Sequence, residues 1–508
     1  MPEVLNPKEP LADKIVGVIQ RADADFTMPE PLKLFTISEF RHELGIPLVL
    51  ARKLIVWGLV KVVRTTDGTI QITEGELLET KEFLKSPWQR TKLFVRALGP
   101  GLITGASDDD PGGIATYSAV GAAFGYKMLW MALWLLPLMT AVQEACARIG
   151  IVTNKGLSGV LKKHYAKWVV FLVVLFLIVA NVVNIGADLG AMAASLKLVW
   201  DVNFTAAAFG FALLILLIEV AIPYRYYASV LKWLTISIFA YVVTGFIIRP
   251  EWLSVFKEAL VPDFILSKDY IFAIVAVFGT TITPYLFFWQ ASEEVEEGKM
   301  TPKSDEAGKP IAYRLTDRIA HMRTDVRTGM ALANLVFFFI ILTTAKVLHQ
   351  NGITSIETAE QAAEALRPFA GDQAFLLFAL GIIGTGLLAV PILAGSGAYA
   401  LAELMGWREG LGKKFSEAKA FYMVIAISIL VGLGLNFVGI SPITALYYSA
   451  FLNGVIAVPL LFVIMIVGGD KKIMGRETHP NWVKFFGWAA FIFSAIAVLS
   501  IIIMQFIK

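Results

Sequence analysis

The chain has 508 residues, 57% of them hydrophobic and only 17% charged, with a mean hydropathy of +0.68. Soluble domains run nearer roughly 45–50% apolar and about 25% charged, so the apolar excess must face lipid, and a wholly soluble protein is excluded. A net charge of +3 is too small to point to nucleic acid, and a single cysteine, Cys146, excludes an internal disulfide. Cys146 lies in an apolar helical stretch and reads as packing.

Residues 1–96 read as a soluble cytosolic module. Met1 to Pro31 is rich in proline and charge, with no apolar core of a cleavable signal, so the N-terminus is expected in the cytoplasm. A short helical pattern opens at Ile37-Ser38-Glu39-Phe40, breaks at Gly45-Ile46-Pro47 and resumes over Leu48 to Trp57. Val60 to Arg64 and Thr69 to Thr73 alternate around Thr66-Asp67-Gly68, which predicts a hairpin. A polar helix follows over Glu74 to Leu84. Two helices, a turn and a two-stranded wing are winged-helix-like. Met1 to Pro87 carries 13 acidic against 11 basic residues, a balance of −2. DNA readers carry a basic face, so a protein-contact or regulatory module is expected and nucleic acid is not.

From Leu98 onward, apolar segments of about 20 residues recur, the length that crosses ~30 Å of hydrocarbon. Eleven are expected: 97–125, 128–151, 168–196, 203–222, 226–248, 270–296, 325–348, 373–405, 417–436, 441–467 and 484–506. Lipid offers no water to free backbone groups, so residues 97–508 read as an all-α polytopic bundle with the bilayer as its partner. Basic residues mark alternate loops: Lys155, Lys162, Lys163 and Lys167; Lys299, Lys303, Lys309, Arg314 and Arg318; Arg408, Lys413 and Lys414; Lys471, Lys472 and Arg476. Cytoplasmic loops carry that excess. A bacterial inner membrane is expected, with the N-terminus inside and Lys508 outside.

Two segments break the helical rule. The first holds Gly105-Ala106-Ser107-Asp108-Asp109-Asp110-Pro111-Gly112-Gly113, and the sixth holds Gly279-Thr280-Thr281-Ile282-Thr283-Pro284. Proline removes a helix donor and glycine costs backbone entropy. A charge at mid-membrane costs at least ~2.5 kcal/mol, so such a break is kept only where it lines a polar cavity. Matching breaks in the first helix of each five-helix half predict an inverted repeat, with helices 1 and 6 unwound at the midplane. The Asp110 carboxylate, the Thr280 carbonyl and the Thr283 hydroxyl then form an all-oxygen site suited to hard divalent cations. The alternative places Asp108 to Asp110 in a surface loop after a short interfacial helix, 97–107. The second break argues against it.

These residues carry a resemblance. Gly99-Pro100-Gly101-Leu102, Asp110-Pro111-Gly112, Phe124-Gly125-Tyr126 and Arg148-Ile149-Gly150-Ile151-Val152-Thr153 resemble the Nramp family of divalent metal transporters over residues 95–508. The resemblance implies a LeuT-like fold of 5+5 helices plus an eleventh. It also implies a transported Mg²⁺ or Mn²⁺ and no resident cofactor. The departures from the family motifs are specific. Gly113 stands for asparagine in Asp-Pro-Gly-Asn; Thr283-Pro284-Tyr285 replaces Met-Pro-His; Gln290 replaces the next histidine; and Asp188 keeps one acid of a third-helix pair, with Ala191 at the other. No arginine stands in 417–436. Losing a thioether removes a soft ligand that favours transition metals, and losing histidines removes groups that titrate near neutral pH. Glycine and threonine at 113 and 283 also predict a roomier site, which suits Mg²⁺ with retained waters. The set resembles the Nramp-related magnesium transporter branch and implies Mg²⁺ uptake without proton coupling.

Other polar residues read two ways. Asp188 fits either a cytoplasmic path or a hydrogen-bonded structural acid. Glu144 sits four residues before Arg148 and is expected to pair with it. Glu293, Glu294, Glu296 and Glu297 fit a solvated helix end or an exit path. Asn453 is placed to contact a metal-bound water, Glu219 and Lys232 read as structural, and Trp289 as packing. A proton-coupled Mn²⁺ or Fe²⁺ symporter and a membrane-bound metal sensor signalling through residues 1–96 are the competing readings. No nucleophile–base pair or phosphate loop supports an enzyme. His42, His164, His321, His349 and His479 lie apart from one another in the sequence.

Overall fold

A computed structural model describes residues 33–46, 50–51, 54–55, 59–64, 70–87, 89, 99–222, 234–300 and 315–506. They fall into two compact units, Met1–Ala97 and Leu98–Lys508.

In the first unit, β1 (Leu34–Thr36) leads directly into α1 (Ile37–Leu44). Thr36 caps α1 and Glu39 answers it, the reciprocal pair of a capping box. Gly45 ends the helix in the left-handed region at φ 57°, which glycine reaches without a Cβ penalty. Then come β2 (Val63–Arg64), β3 (Ile70–Thr73) and α2 (Glu74–Phe83). The sheet order is β1-β3-β2, antiparallel throughout, with Phe35 opposite Ile72 and Val63 opposite Gln71. The expected hairpin gains a third strand that alternation did not reveal, and only Val63 and Arg64 of the first expected strand pair. Phe40, Leu50, Leu54, Ile72 and Leu77 form the core. The expected turn at Thr66-Asp67-Gly68, the stretch before Pro31 and most of Leu48 to Trp57 lie outside the described residues.

The second unit is helical. Its first expected span is two helices, α3 (Pro100–Asp108) and α4 (Pro111–Phe124). There follow α5 (Trp130–Thr153), the short α6 (Leu157–His164), α7 (Lys167–Val199) and α8 (Phe204–Ala221). Next are α9 (Ala240–Ile247), α10 (Trp252–Leu260), α11 (Lys268–Thr281) and α12 (Pro284–Met300). The bundle ends with α13 (Leu315–Val347), α14 (Ala374–Met405), α15 (Lys419–Leu435), α16 (Pro442–Gly469) and α17 (Asn481–Phe506).

Among the described residues, eight helices are long and apolar enough to cross a membrane, or nine if the pair bent by 119° at 247–252 counts as one. Three of the eleven expected segments fall outside that count by length. Segment 97–125 is divided at its carboxylates into helices of 9 and 14 residues. Segment 417–436 yields a helix of 17 residues. Segment 226–248 begins outside the described residues, Lys232 included, and continues through a 3-10 stretch, Leu234–Phe239.

Glycine sets how closely the helices approach. A Cβ on Gly105 would lie 2.3 Å from the Gly329 carbonyl oxygen, and one on Gly329 would lie 2.1 Å from that of Gly101. The helix α3 therefore meets α13 backbone to backbone. A Cβ on Gly279 would lie 2.0 Å from the Ala450 carbonyl oxygen, so α11 meets α16 in the same way. Small residues at i and i+4 let membrane helices pack this closely.

Candidate metal site

Both breaks follow from proline. Pro111 has no N–H, so the carbonyl of Ser107, four residues back, loses its helical donor. The Tyr285 hydroxyl supplies one at 2.8 Å. Pro284 likewise leaves the Thr280 carbonyl without an i+4 donor. Tyr285 is the second residue of α12, so the second break satisfies the first.

Asp110 sits in extended backbone (φ −66°, ψ 172°) as the N-cap of α4. Its Oδ1 accepts from the Gly113 N–H at 2.6 Å, and its Oδ2 lies 3.3 Å from the Tyr285 hydroxyl. Asp108, Asp109 and Asp110 are all buried, as are Thr280, Thr283 and Tyr285. Among the described residues, Asp108 Oδ1, Asp109 Oδ1 and Thr283 Oγ1 have no hydrogen-bond partner. Buried polar atoms are nearly always satisfied by protein, water or an ion. The open acceptors beside the two breaks are thus a carbonyl, a hydroxyl and carboxylate oxygens. No three His, Cys, Asp or Glu side chains among the described residues group as a metal-ligand set. A cation held here would take neutral oxygens as part of its shell.

The extra room expected at Gly113 is not open in this structure. A Cβ there would lie 2.9 Å from the Asp108 carbonyl oxygen and 3.3 Å from the Tyr117 ring. The tight turn of the break fills the space that the missing side chain vacates.

The remaining expected residues separate into groups. Asp188 on α7 lies within electrostatic reach of Asp110 and Tyr285, and its Oδ2 has no partner among the described residues. One turn away, the Asn184 amide donates to Asn453 Oδ1 of α16 at 3.1 Å, so Asn453 is engaged protein to protein. Gln290 on α12 accepts from Thr104 of α3 at 2.5 Å and donates to Glu294 at 3.0 Å. It ties α3 to α12. Glu144 lies apart from these groups. Its Oε1 accepts from Arg148 and from Arg323 of α13, each at 3.0 Å, which joins α5 to α13. Trp289 packs against Tyr399 with ring centroids 6.3 Å apart. Glu219 is buried in α8, which packs on α7, α14 and α15.

Two acids escaped sequence reasoning, one buried and one partly buried. Asp325 of α13 accepts from the N–H groups of Gly99, Gly101 and Leu102 at 2.9, 2.6 and 3.1 Å. Glu403 of α14 accepts from the N–H groups of Gly156 and Gly159 at 2.6 and 2.8 Å, at the start of α6. In both cases the local N-cap is glycine with no side-chain bond. The signal was available as a want: a helix opening on glycine needs an acceptor from elsewhere.

Comparison with known proteins places the chain in a family. The family described as Natural resistance-associated macrophage protein-like matches residues 101–504. A protein of Klebsiella pneumoniae named divalent metal cation transporter MntH is 26% identical over 404 residues, 78% of this chain and 91% of that one. A Yersinia enterocolitica protein of the same name is 27% identical over 312 residues, 60% of this chain and 72% of that one. The crystal structure of a manganese transporter from Eremococcus coleocola superposes with a TM-score of 0.61 at 18% identity, covering 79% of this chain and 85% of that one. That likeness shows a shared fold.

Proposed function

The chain belongs to the Nramp family, and from that premise we propose that it carries Mg²⁺, with Mn²⁺ tolerated, across a bacterial inner membrane without moving protons. It is a multi-pass divalent metal cation transporter and not an enzyme. The ion is cargo, bound at the paired breaks by the Asp110 carboxylate, the Thr280 carbonyl and the Thr283 hydroxyl, with Gly113 closing the turn of the first break and no resident cofactor. Asp108, Asp109 and Asp188 supply negative charge along the route.

One observation carries the Mg²⁺ assignment. The second break offers threonine and tyrosine oxygens and no sulfur or imidazole, and Gln290 is a hydrogen-bonded amide locked between Thr104 and Glu294. Oxygen donors suit hard cations, and an amide neither takes nor releases a proton near neutral pH. Driving force then comes from the gradient and the inside-negative potential, worth about 2.3 kcal/mol per charge per 100 mV. The test is uptake into proteoliposomes with Mg²⁺ and Mn²⁺ compared and internal pH followed. Saturable Mg²⁺ entry without acidification is expected; Mn²⁺-only entry with acidification overturns the proposal. A second reading, proton-coupled Mn²⁺ symport, is favoured by the manganese transporter of the same fold and by the buried Asp188 near Asp110.

A further inference from the structure

The helix α3 begins in an unusual way. Its first residues, Gly99-Pro100-Gly101-Leu102, offer no side chain to the free N–H groups of the first turn. Those groups all point at one carboxylate 223 to 226 residues away, Asp325 of α13. Asp325 is 1% exposed. Burying an acid is costly unless it is fully bonded, and three backbone donors together with the positive end of a helix are a strong reason to keep it there.

The contact continues along α3. Gly101 and Gly105 present no side chain to α13, and a Cβ on Gly101 would lie 2.6 Å from the Val326 nitrogen. The two backbones are in contact for a full turn beyond the carboxylate. On its other side α3 is tied to α12 by the Thr104 hydroxyl at Gln290. The far end of α3 is Asp108, and Asp109 and Asp110 follow without a helical turn between them. The place of Asp110 therefore depends on a nine-residue helix with few side-chain anchors of its own.

We propose that Asp325 is a positioning residue for transport. It supplies from α13 the cap that α3 lacks, and so fixes the half-helix that delivers Asp110 to the cation. Asp325 does not touch the ion; it acts through three N–H groups at the opposite end of α3. The inference rests on the transport reading for its kinetic arm only.

The test uses the full chain with Cys146→Ala, which leaves no native thiol, and Ser107→Cys as a reporter. Ser107 is fully buried at the end of α3, so its thiol should react with a small maleimide only when the half-helix loosens. Asp325→Ala is expected to raise the labelling rate at least tenfold and the apparent KM for Mg²⁺ at least fivefold, with a smaller change in maximal rate. Asp325→Asn keeps the shape and one acceptor, and should shift both in the same direction by less. Should Asp325→Ala fail to fold, Asp325→Asn decides. A folded variant with unchanged labelling and unchanged KM overturns the proposal, and so does a loss of yield alone. Labelling needs no transport, so failure of the Mg²⁺ reading would leave this arm intact.

Discussion

Asp110 has two jobs in this structure, and a pair of substitutions separates them. As N-cap of α4 it holds the Gly113 N–H at 2.6 Å; as a carboxylate it brings charge to the break. Asp110→Ala removes both. Losing an N-cap costs about 1 kcal/mol, within a range of roughly 0.5–2. Asp110→Asn keeps the cap, since asparagine caps as well as aspartate, and removes only the charge. Deleting one partner of a buried charge contact costs about 3–5 kcal/mol, which at about 1.4 kcal/mol per tenfold is roughly two to four orders of magnitude in apparent affinity. Both variants should therefore lose saturable uptake in proteoliposomes, while only Asp110→Ala melts measurably lower. An Asp110→Asn protein with native melting and native apparent KM would refute the assignment of the cation to this carboxylate.

Further substitutions test the frame around the site. Gly105→Ala forces a methyl to within 2.3 Å of the Gly329 carbonyl oxygen; overpacking of this kind costs about 1–3 kcal/mol or more, so a lower melting temperature and reduced uptake are expected by thermal shift and flux. Glu403→Ala strands two N–H groups at the start of α6, a cost of about 1–3 kcal/mol each; melting should fall while the apparent KM for Mg²⁺ stays native. His479, in the loop before α17, is pushed down to about 3 by burial, with the Arg148 charge beside it adding to the effect. Its folded pKa lies below its unfolded value of about 6.5, so its contribution is present above that pH and is lost as pH falls toward 3. The native chain should therefore lose more melting temperature between about pH 6.5 and pH 4 than His479→Phe does.

The two breaks were legible because their signals are local. Pro111 and Pro284 each delete a donor, glycines flank them, and carboxylates stand where lipid forbids them. The same locality explains what stayed hidden. Strand β1 is three residues long and pairs with Gln71 to Thr73 across the intervening helix, so no alternation announces it. The cap from Asp325 crosses more than 220 residues, and nothing near either end names the other. A count by length passes over the place where the chemistry is: α3 and α4 are each too short to cross a bilayer, and length alone reads a divided span as none. The room expected at Gly113 was a subtraction of side-chain volume, whereas the backbone of the break turned into the space.

Acid content along the chain is therefore a poor measure of cation affinity, and the bonding of each acid is a better one. Glu144 and Asp325 are buried and Glu403 is partly buried, yet each gives oxygens to arginines or to backbone N–H groups. Each holds helices together: α5 to α13, α13 to α3, α14 to α6. Asp108, Asp109 and Asp188 each keep an oxygen without a partner among the described residues, as Glu144 Oε2 and both oxygens of Glu219 also do, but the aspartates sit at the first break or in electrostatic reach of Asp110. Leaving a buried acceptor unmade costs about 1–3 kcal/mol, which a fold tolerates where an ion or its water completes the bond. The same split explains why Asp110 sits between the groups, with one oxygen on Gly113 and the other toward Tyr285. The cap orients the carboxylate before any cation arrives, so that binding need not order it.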